Sequence, residues 1–355
     1  MSIRVGIVGA RYIANLYGHA IRRTPGVEAV AVASPNTAEA FAWQHGIARH
    51  YKDYRAMIED TELDAVAIGA PNDLHYDICV AAADAGKHVF CDKPLAMNME
   101  EARGMVEVCR RAGVVLMYAE NLLFAPLYER VHQLARSGSI GEPFLVKQTQ
   151  SHGGPYSDWF WDIDRAGGGV LLDMGCHSIH TICWVVGTWP EAVTAVLGRY
   201  AHGEKTVAED HAEVVLHFPG GAMGIAENSW AMPGGNDALE VYGPGGRYVA
   251  DLERGPAIRA YVAPIDESAA DPAGSRAGWQ FQHYDELWQW GFPQEWQHFA
   301  EVLSGRAELR SSGEDGVRVL EIICAAYESA RRGQRVDLPF TSSAERPVDH
   351  WLDGR

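Results

Sequence analysis

Residues 68–98 read IGAPNDLHYDICVAAADAGKHVFCDKPLAMN. A strand end and a turn lead into a helix expected over His75–Ala85. Gly86 closes that helix, HVFC is a second strand, and Lys93-Pro94 stands directly at its exit. With Asp64–Ile68 as the strand before it, this stretch predicts a parallel crossover unit. The same alternation extends both ways. Upstream, Ile3–Val8 is a strand ending at Gly9, and Ala14–Arg23 is a helix stopped by Thr24-Pro25-Gly26. Val27–Ala33 is a strand, Ala38–His45 a helix ending at Gly46, and YKDYRAMIED (51–60) another helix. Downstream, Glu100–Ala112 is a helix stopped by Gly113, and VVLMYAEN (114–121) is a fifth strand. Strands separated by helices predict an α/β fold: an N-terminal Rossmann domain with a doubly wound parallel sheet.

Ligands of such sheets lie beyond the carboxyl ends of the strands. Four turns leave those ends: GARYIA (9–14), ASPN (33–36), GAPND (69–73) and CDKP (91–94). GARYIA has the place of a G-x-G-x-x-G nucleotide loop, with Arg11 as the second glycine and Ala14 as the third. As an isolated hexapeptide it also reads as an ordinary strand-to-helix turn. A strand before and a helix after supply the context a nucleotide loop requires. Arg11 loses the close backbone approach of glycine, but its guanidinium can lie against phosphate oxygens. Gly9, Arg11, Tyr12 and Ile13 are therefore candidate nucleotide contacts. At the second strand, Ser34 and Asn36 offer neither the acid usual for NAD nor the arginine usual for NADP. Asn36 can bond the ribose hydroxyl, and no cation stands at that turn. NAD is the expected cofactor, with NADP left open through Arg11 or Arg49.

A length of 355 residues suits about two domains. Net charge of −17 argues against a general nucleic-acid binder, which needs a basic surface. Six cysteines show no C-x-x-C spacing, which fits reduced thiols and a cytoplasmic location. No signal stretch is evident and no run approaches about 18 apolar residues, so no membrane association is expected.

From about residue 125, EPFLVKQTQSH, EAVTAVLGRYA, AEDHAEVVLHF, GAMGIAENSWA, ALEVYGPGGRYVADL and IRAYVA read as strands with glycine-rich turns between several of them. They predict an α+β domain with a large open, mainly antiparallel sheet, packed by a helix over 169–186 and another around Gln294–Gly305. Glu314–Arg331 is a further helix. The expected organisation is a dinucleotide-binding domain over 1–123, a substrate-binding and oligomerisation domain over 124–340, and a tail over 341–355.

Lys93, at the nucleotide end of the sheet, can donate a charged hydrogen bond to a developing alkoxide. Asp173 and His177, four apart in VLLDMGCHSIH, would share one helix face and bring a carboxylate and an imidazole to one substrate. The histidine suits proton transfer near neutral pH. Cys176, His177, His180 and Cys183 include zinc-type ligands, but they cannot all converge from one regular helix, and no metal is expected. Aromatic residues concentrate at Tyr156, Trp159, Phe160 and Trp161, and again at Trp279, Phe281, Tyr284, Trp288 and Trp290. They serve as sugar-stacking platforms or as core. His152, Asp158, His283 and Asp285 add polar groups for hydroxyls. The small, polar segment 266–278 is expected as a loop beside them.

Taken together, GIVGARYIA (6–14), the stretch 68–98, AENLLFAPLYERVHQLARSGSIGEP (119–143) and WFWDIDRAGGGVLLDMGCHSIH (159–180) resemble the glucose–fructose oxidoreductase/inositol dehydrogenase (Gfo/Idh/MocA) family in order and spacing. The resemblance runs from residue 3 to about 340. It implies that Lys93, Asp173 and His177 form the catalytic set. His177 would be the proton acceptor, and Asp173 would contact substrate or orient the histidine. It also implies that Pro71, Asn72, His75, Asp92 and Asn121 border the cofactor, and that Trp161 and Arg165 reach the nicotinamide or pyrophosphate. A homodimer or homotetramer paired through the C-terminal sheet is implied too. Arg11, Ala70, Asp92 and Leu123 depart from the family's usual glycine, threonine, glutamate and arginine.

The expected activity is NAD-dependent oxidation of a secondary hydroxyl of a sugar, glycoside or cyclitol, with substrate contacts at Lys93, His152, Tyr156, Trp159, Asp173, His177, His283 and Tyr284. The alternative is a redox-neutral glycoside hydrolase that oxidises C3, eliminates, adds water and reduces back. That route needs a further base within 152–161 or 283–284. A non-catalytic cofactor-binding regulator predicts loss of one of the catalytic three, and all three are present.

Overall fold

A computed structural model describes residues 2–59, 62–253, 258–262, 278–282 and 285–352. The N-terminal half is a six-stranded parallel sheet of β1 (Ile3–Val8), β2 (Val27–Ala33), β3 (Arg49–Tyr51), β4 (Ala65–Ile68), β5 (His88–Asp92) and β6 (Leu116–Ala119). Its order, β3-β2-β1-β4-β5-β6, reverses direction beside β1, the switch point where such sheets open a ligand crevice. Crossover helices cover both faces, so β4 (AVAI) is buried at every residue. The sequence reading expected five strands. The sixth, β3, is three residues of RHY with no apolar run to signal it, and it forms only by pairing with Ala31–Ala33.

The second sheet has seven strands: β7 (Leu145–Ser151), β8 (Ala192–Gly198), β9 (His211–His217), β10 (Met223–Ser229), β11 (Asp237–Gly243), β12 (Gly246–Asp251) and, at the edge, Val336–Asp337. All neighbours are antiparallel except β7 and β10. Val336–Asp337 pairs with β8. The stretch beginning IRAYV was expected in this sheet, but Ile258–Val262 pairs with Gly278–Gln282 as a separate two-stranded unit. One face of the large sheet is alternately buried: Val146, Gln148 and Gln150 on β7 and Ala212, Val214 and Leu216 on β9 lie against helices. The opposite face presents Val196, Met223 and Val249.

Ile163–Val186 is long and apolar enough, by length and composition alone, to cross a membrane, although Asp164, Arg165 and Asp173 interrupt it. Most of it lies inside the protein, divided into the helices Ile163–Ala166, Val170–Asp173 and Gly175–Val186. Near the end of the chain, Val348 donates its N–H to the Gly167 carbonyl at 3.2 Å, and Trp351 is buried. His283, Tyr284 and all but the last residue of segment 266–278 lie outside the described residues.

Candidate active site

A cleft of about 1780 Å³ runs along the carboxyl ends of β1, β2, β4 and β5 and continues under β7 of the second sheet. Gly9 opens it. Its φ of +109° and its approach to Gly69, whose carbonyl oxygen a Cβ would meet at 2.2 Å, leave no room for a side chain. Arg11 and Tyr12 follow, both exposed, and Tyr12 stacks on Tyr156 across the cleft with ring centroids 4.5 Å apart. Ile13, Ser34, Asn36, Pro71, Asn72, Asp92, Asn121 and Arg165 line the same wall. Two of them brace their surroundings: the Asn72 amide donates to the Ala166 carbonyl at 2.8 Å, and the Asn121 amide to Trp290 at 2.7 Å.

Two expected cofactor neighbours do not line the cleft. His75 is fully buried behind the turns, with Nδ1 2.9 Å from the Pro94 carbonyl and Nε2 3.0 Å from that of Ala70. It shapes the two loops from behind. Trp161 turns away to pack on Trp230 and His202, with the Lys205 ammonium 4.8 Å from its ring centroid. A bulky indole finds more apolar contact there than at the cleft wall.

Lys93 reaches across to the helix Val170–Asp173. Its ammonium donates to Asp173 Oδ1 at 2.6 Å and to the Asp173 carbonyl at 2.9 Å, leaving one of three N–H groups. Burial opposes its charge, but the carboxylates of Asp173 and Asp92 outweigh that and hold the ammonium above its ordinary pKa. Burial likewise opposes Asp173, and the Lys93 charge and hydrogen bond win, holding the carboxyl below its usual range. Trp230 Nε1–H donates to Asp173 Oδ2 at 3.2 Å. The glycine triplet sets this geometry, since a Cβ on Gly169 would lie 1.9 Å from the Glu209 carbonyl oxygen. Val170 N–H bonds that carbonyl, and Leu171 N–H bonds the Glu209 carboxyl at 2.9 Å.

Asp173 and His177 both line the cleft, as expected, but neither bonds the other; the helix steps at Met174 between them. The partner of His177 is Glu120, which the sequence reading passed over. His177 Nδ1 lies 2.6 Å from Glu120 Oε1, and Glu120 is fully buried at the exit of β6. Burial raises its pKa, but the imidazoles of His177 and His180 and the Lys93 charge bring it below the ordinary range. A carboxylate at Nδ1 holds the proton there and leaves Nε2 as the acceptor. The one sequence signal was position: an acid directly after a strand, at the nucleotide end of a parallel sheet. Tyr17 O–H donates to Asp92 Oδ1 at 3.0 Å behind Lys93. The thiols of Cys176 and Cys183 do not join His177: burial pushes Cys176 up to about 12 and raises Cys183 as well.

The far end of the cleft is lined by His152, Tyr156, Asp158, Trp159 and Phe160, together with Gln150, Asp237 and Glu253, which the sequence had not singled out. Gln150 Nε2 donates to Asp237 Oδ2 at 2.7 Å, Gln148 Nε2 to Oδ1 at 3.0 Å, and Tyr128 O–H also to Oδ1. Burial pushes Asp237 up to about 6 against these donors. Burial also keeps the His152 imidazole below its ordinary pKa. The cleft thus offers a nucleotide wall, a charged hydrogen-bond donor, an imidazole acceptor oriented by a carboxylate, and a polar end for hydroxyls. These groups fit a nicotinamide dinucleotide.

Comparison with known proteins agrees. Residues 3–120 match the model of the oxidoreductase family with an NAD-binding Rossmann fold, and residues 128–249 match the GFO/IDH/MocA C-terminal domain. The D-xylose 1-dehydrogenase (NADP(+)) 2 of Haloferax volcanii is 33% identical over 88% of this chain and 92% of its own length. The chain belongs to the Gfo/Idh/MocA family of oxidoreductases. A second member, myo-inositol 2-dehydrogenase of Thermotoga maritima, is 28% identical over 95% of this chain and 98% of its own. Among solved members, GenD2 from gentamicin A biosynthesis, in complex with NAD, superposes with a TM-score of 0.87 at 28% identity, covering 96% of this chain and 97% of its own. The chain carries an NAD-binding Rossmann domain, and its relatives include sugar and cyclitol dehydrogenases, one of them named for NADP(+).

Proposed function

We propose that the protein oxidises a secondary hydroxyl of a sugar, glycoside or cyclitol. The observation that supports this best is the meeting of Lys93, held by Asp173, with His177, held by Glu120, at the junction of the two halves of the cleft. The bound nicotinamide supplies the hydride acceptor. The substrate oxygen accepts the remaining Lys93 N–H, which stabilises negative charge as the C–H bond breaks. His177 Nε2 takes the hydroxyl proton, a role worth about 10²–10⁴-fold. Glu120 holds Nδ1–H and stabilises the imidazolium that forms. Trp230 and Lys93 together keep Asp173 from rotating, so Asp173 positions Lys93 and does not orient the histidine.

In this reading residues 1–123 bind the dinucleotide, 124–340 bind substrate and associate, and 341–355 are a tail. The partner proposed for the outer sheet face, with Val196 66% and Val249 55% exposed, is a second copy of the chain, as dimer or tetramer. All six cysteines are unpaired and buried, which supports a reducing compartment such as the cytoplasm.

The test is to mix purified protein with NAD and a panel of free sugars, cyclitols and chromogenic glycosides, following nicotinamide absorbance and aglycone release in one cuvette. Reduced nicotinamide accumulating with a keto-sugar supports the dehydrogenase. Many aglycones released per NAD with no net reduction would overturn it in favour of the redox-neutral hydrolase.

A further inference from the structure

The turn Ser34-Pro35-Asn36 carries no cation of its own, yet the fold brings cations to it. Tyr51 is paired with Ala33, and the Ser34 N–H donates to the Tyr51 carbonyl at 3.0 Å, so the chain leaving β3 runs beside the end of β2. Lys52 and Arg55 on that segment line the same cleft as Ser34, Asn36 and Thr37. The Arg55 guanidinium lies 4.6 Å from the centroid of its neighbour's ring, Tyr54, which restricts the long side chain. Among the described residues neither Lys52 nor Arg55 makes an ion pair. Asp53, the acid between them, has Oδ1 engaged at 3.0 Å by the Arg55 N–H at the start of the helix Tyr54–Ile58. The Ser34 hydroxyl lies 2.9 Å from that of Thr37, so two hydroxyls stand on the same turn.

We propose that Lys52 and Arg55, with the hydroxyls of Ser34 and Thr37, form a site for the 2′-phosphate of NADP(H), so that the protein binds this cofactor at least as tightly as NAD(H). A phosphate monoester on the adenosine ribose is a dianion at neutral pH, and two cations on the segment beside two hydroxyl donors match its charge and its acceptor oxygens. A carboxylate from the Ser34–Thr37 turn would repel it, and this turn has none. The inference rests on the dinucleotide cleft and is independent of which sugar is oxidised.

The test is equilibrium titration of the wild-type protein with NADPH and NADH, read by nicotinamide fluorescence without any sugar present. NADPH should bind with a Kd equal to or below that of NADH. The double variant Lys52→Ala/Arg55→Ala should weaken NADPH by 10-fold or more and NADH by less than 3-fold. Ser34→Asp, which places an acid on the turn, should also weaken NADPH at least 10-fold while leaving NADH within 3-fold. Wild-type NADPH binding more weakly than NADH overturns the site. So does equal weakening of both cofactors in the double variant, or unchanged NADPH binding in Ser34→Asp. Failure of the sugar assay leaves these outcomes untouched.

Discussion

The two ends of the cleft are built on opposite electrostatic plans. The nucleotide end draws Arg11, Lys52, Arg55 and Arg165 to strand ends and turns, against the two acids Asp53 and Asp92. The substrate end carries Asp158, Asp173, Asp237 and Glu253, and its one lysine, Lys93, is already paired with Asp173. A chain with a net charge of −17 therefore still concentrates positive charge where a dinucleotide's phosphates would lie. The ends also differ in construction. Backbone and exposed cations form the first, whereas buried side-chain networks fix the second, as with Tyr128, Gln148 and Gln150 around Asp237. An exposed cation tolerates adjustment, but a buried network holds one geometry and leaves little room for error.

The largest expected effect tests the junction between the ends. Lys93→Met should lower kcat by about 10³-fold, the scale of a lost charged donor to an oxyanion. Circular dichroism should show the fold retained; a loss under tenfold would remove Lys93 from the chemistry. Next, a sugar phosphate should show kcat/KM at least about 10²-fold below the same sugar unphosphorylated, because the acidic end repels it. Equal use of both would break the contrast between the ends. Glu120→Gln should lower kcat by about 10–100-fold with KM within threefold, since the carboxylate orients a base and does not touch substrate. Raising salt from 50 to 500 mM should weaken NADH binding several-fold and leave the sugar's KM within twofold.

The smallest effect lies behind the glycine triplet. Burial pushes Glu209 up to about 7 from its ordinary 4.5, against the hydrogen bonds it accepts from Leu171 and Tyr327. A carboxyl raised in the folded state contributes stability that is complete below the unfolded value and is lost as pH rises through the folded one. The window is therefore pH 4.5 to 7, with a loss of order 3 kcal/mol at its top. Between pH 5 and 8 the wild-type Tm should fall a few degrees further than that of Glu209→Gln; parallel curves would mean that Glu209 is ionised throughout.

Much of the first sheet was legible because buried parallel strands are short apolar runs separated by glycine-closed helices, as at Ala65–Ile68 and His88–Asp92. The exception, β3, is polar and three residues long, so local pattern could not reveal it. The same limit explains the site. Lys93, Asp173 and His177 stand in recognisable local settings, a strand exit and a glycine-led helix, and the structure brings all three to one cleft. The pairings are not local: Glu120 also follows a strand but is 57 residues from His177, and Trp230 is 57 from Asp173.

The sequence by itself determined the succession of strands and helices, the nucleotide-loop position of GARYIA, and the family. Those are properties of neighbouring residues, which side-chain periodicity and turn chemistry encode directly. Only the tertiary structure decided which carboxylate holds His177, why Gly169 must lack a side chain, where His75 and Trp161 point, and that Lys52 and Arg55 stand beside Ser34. Each of these depends on two distant segments reaching contact, and what fixes such contacts is the packing of whole elements against one another.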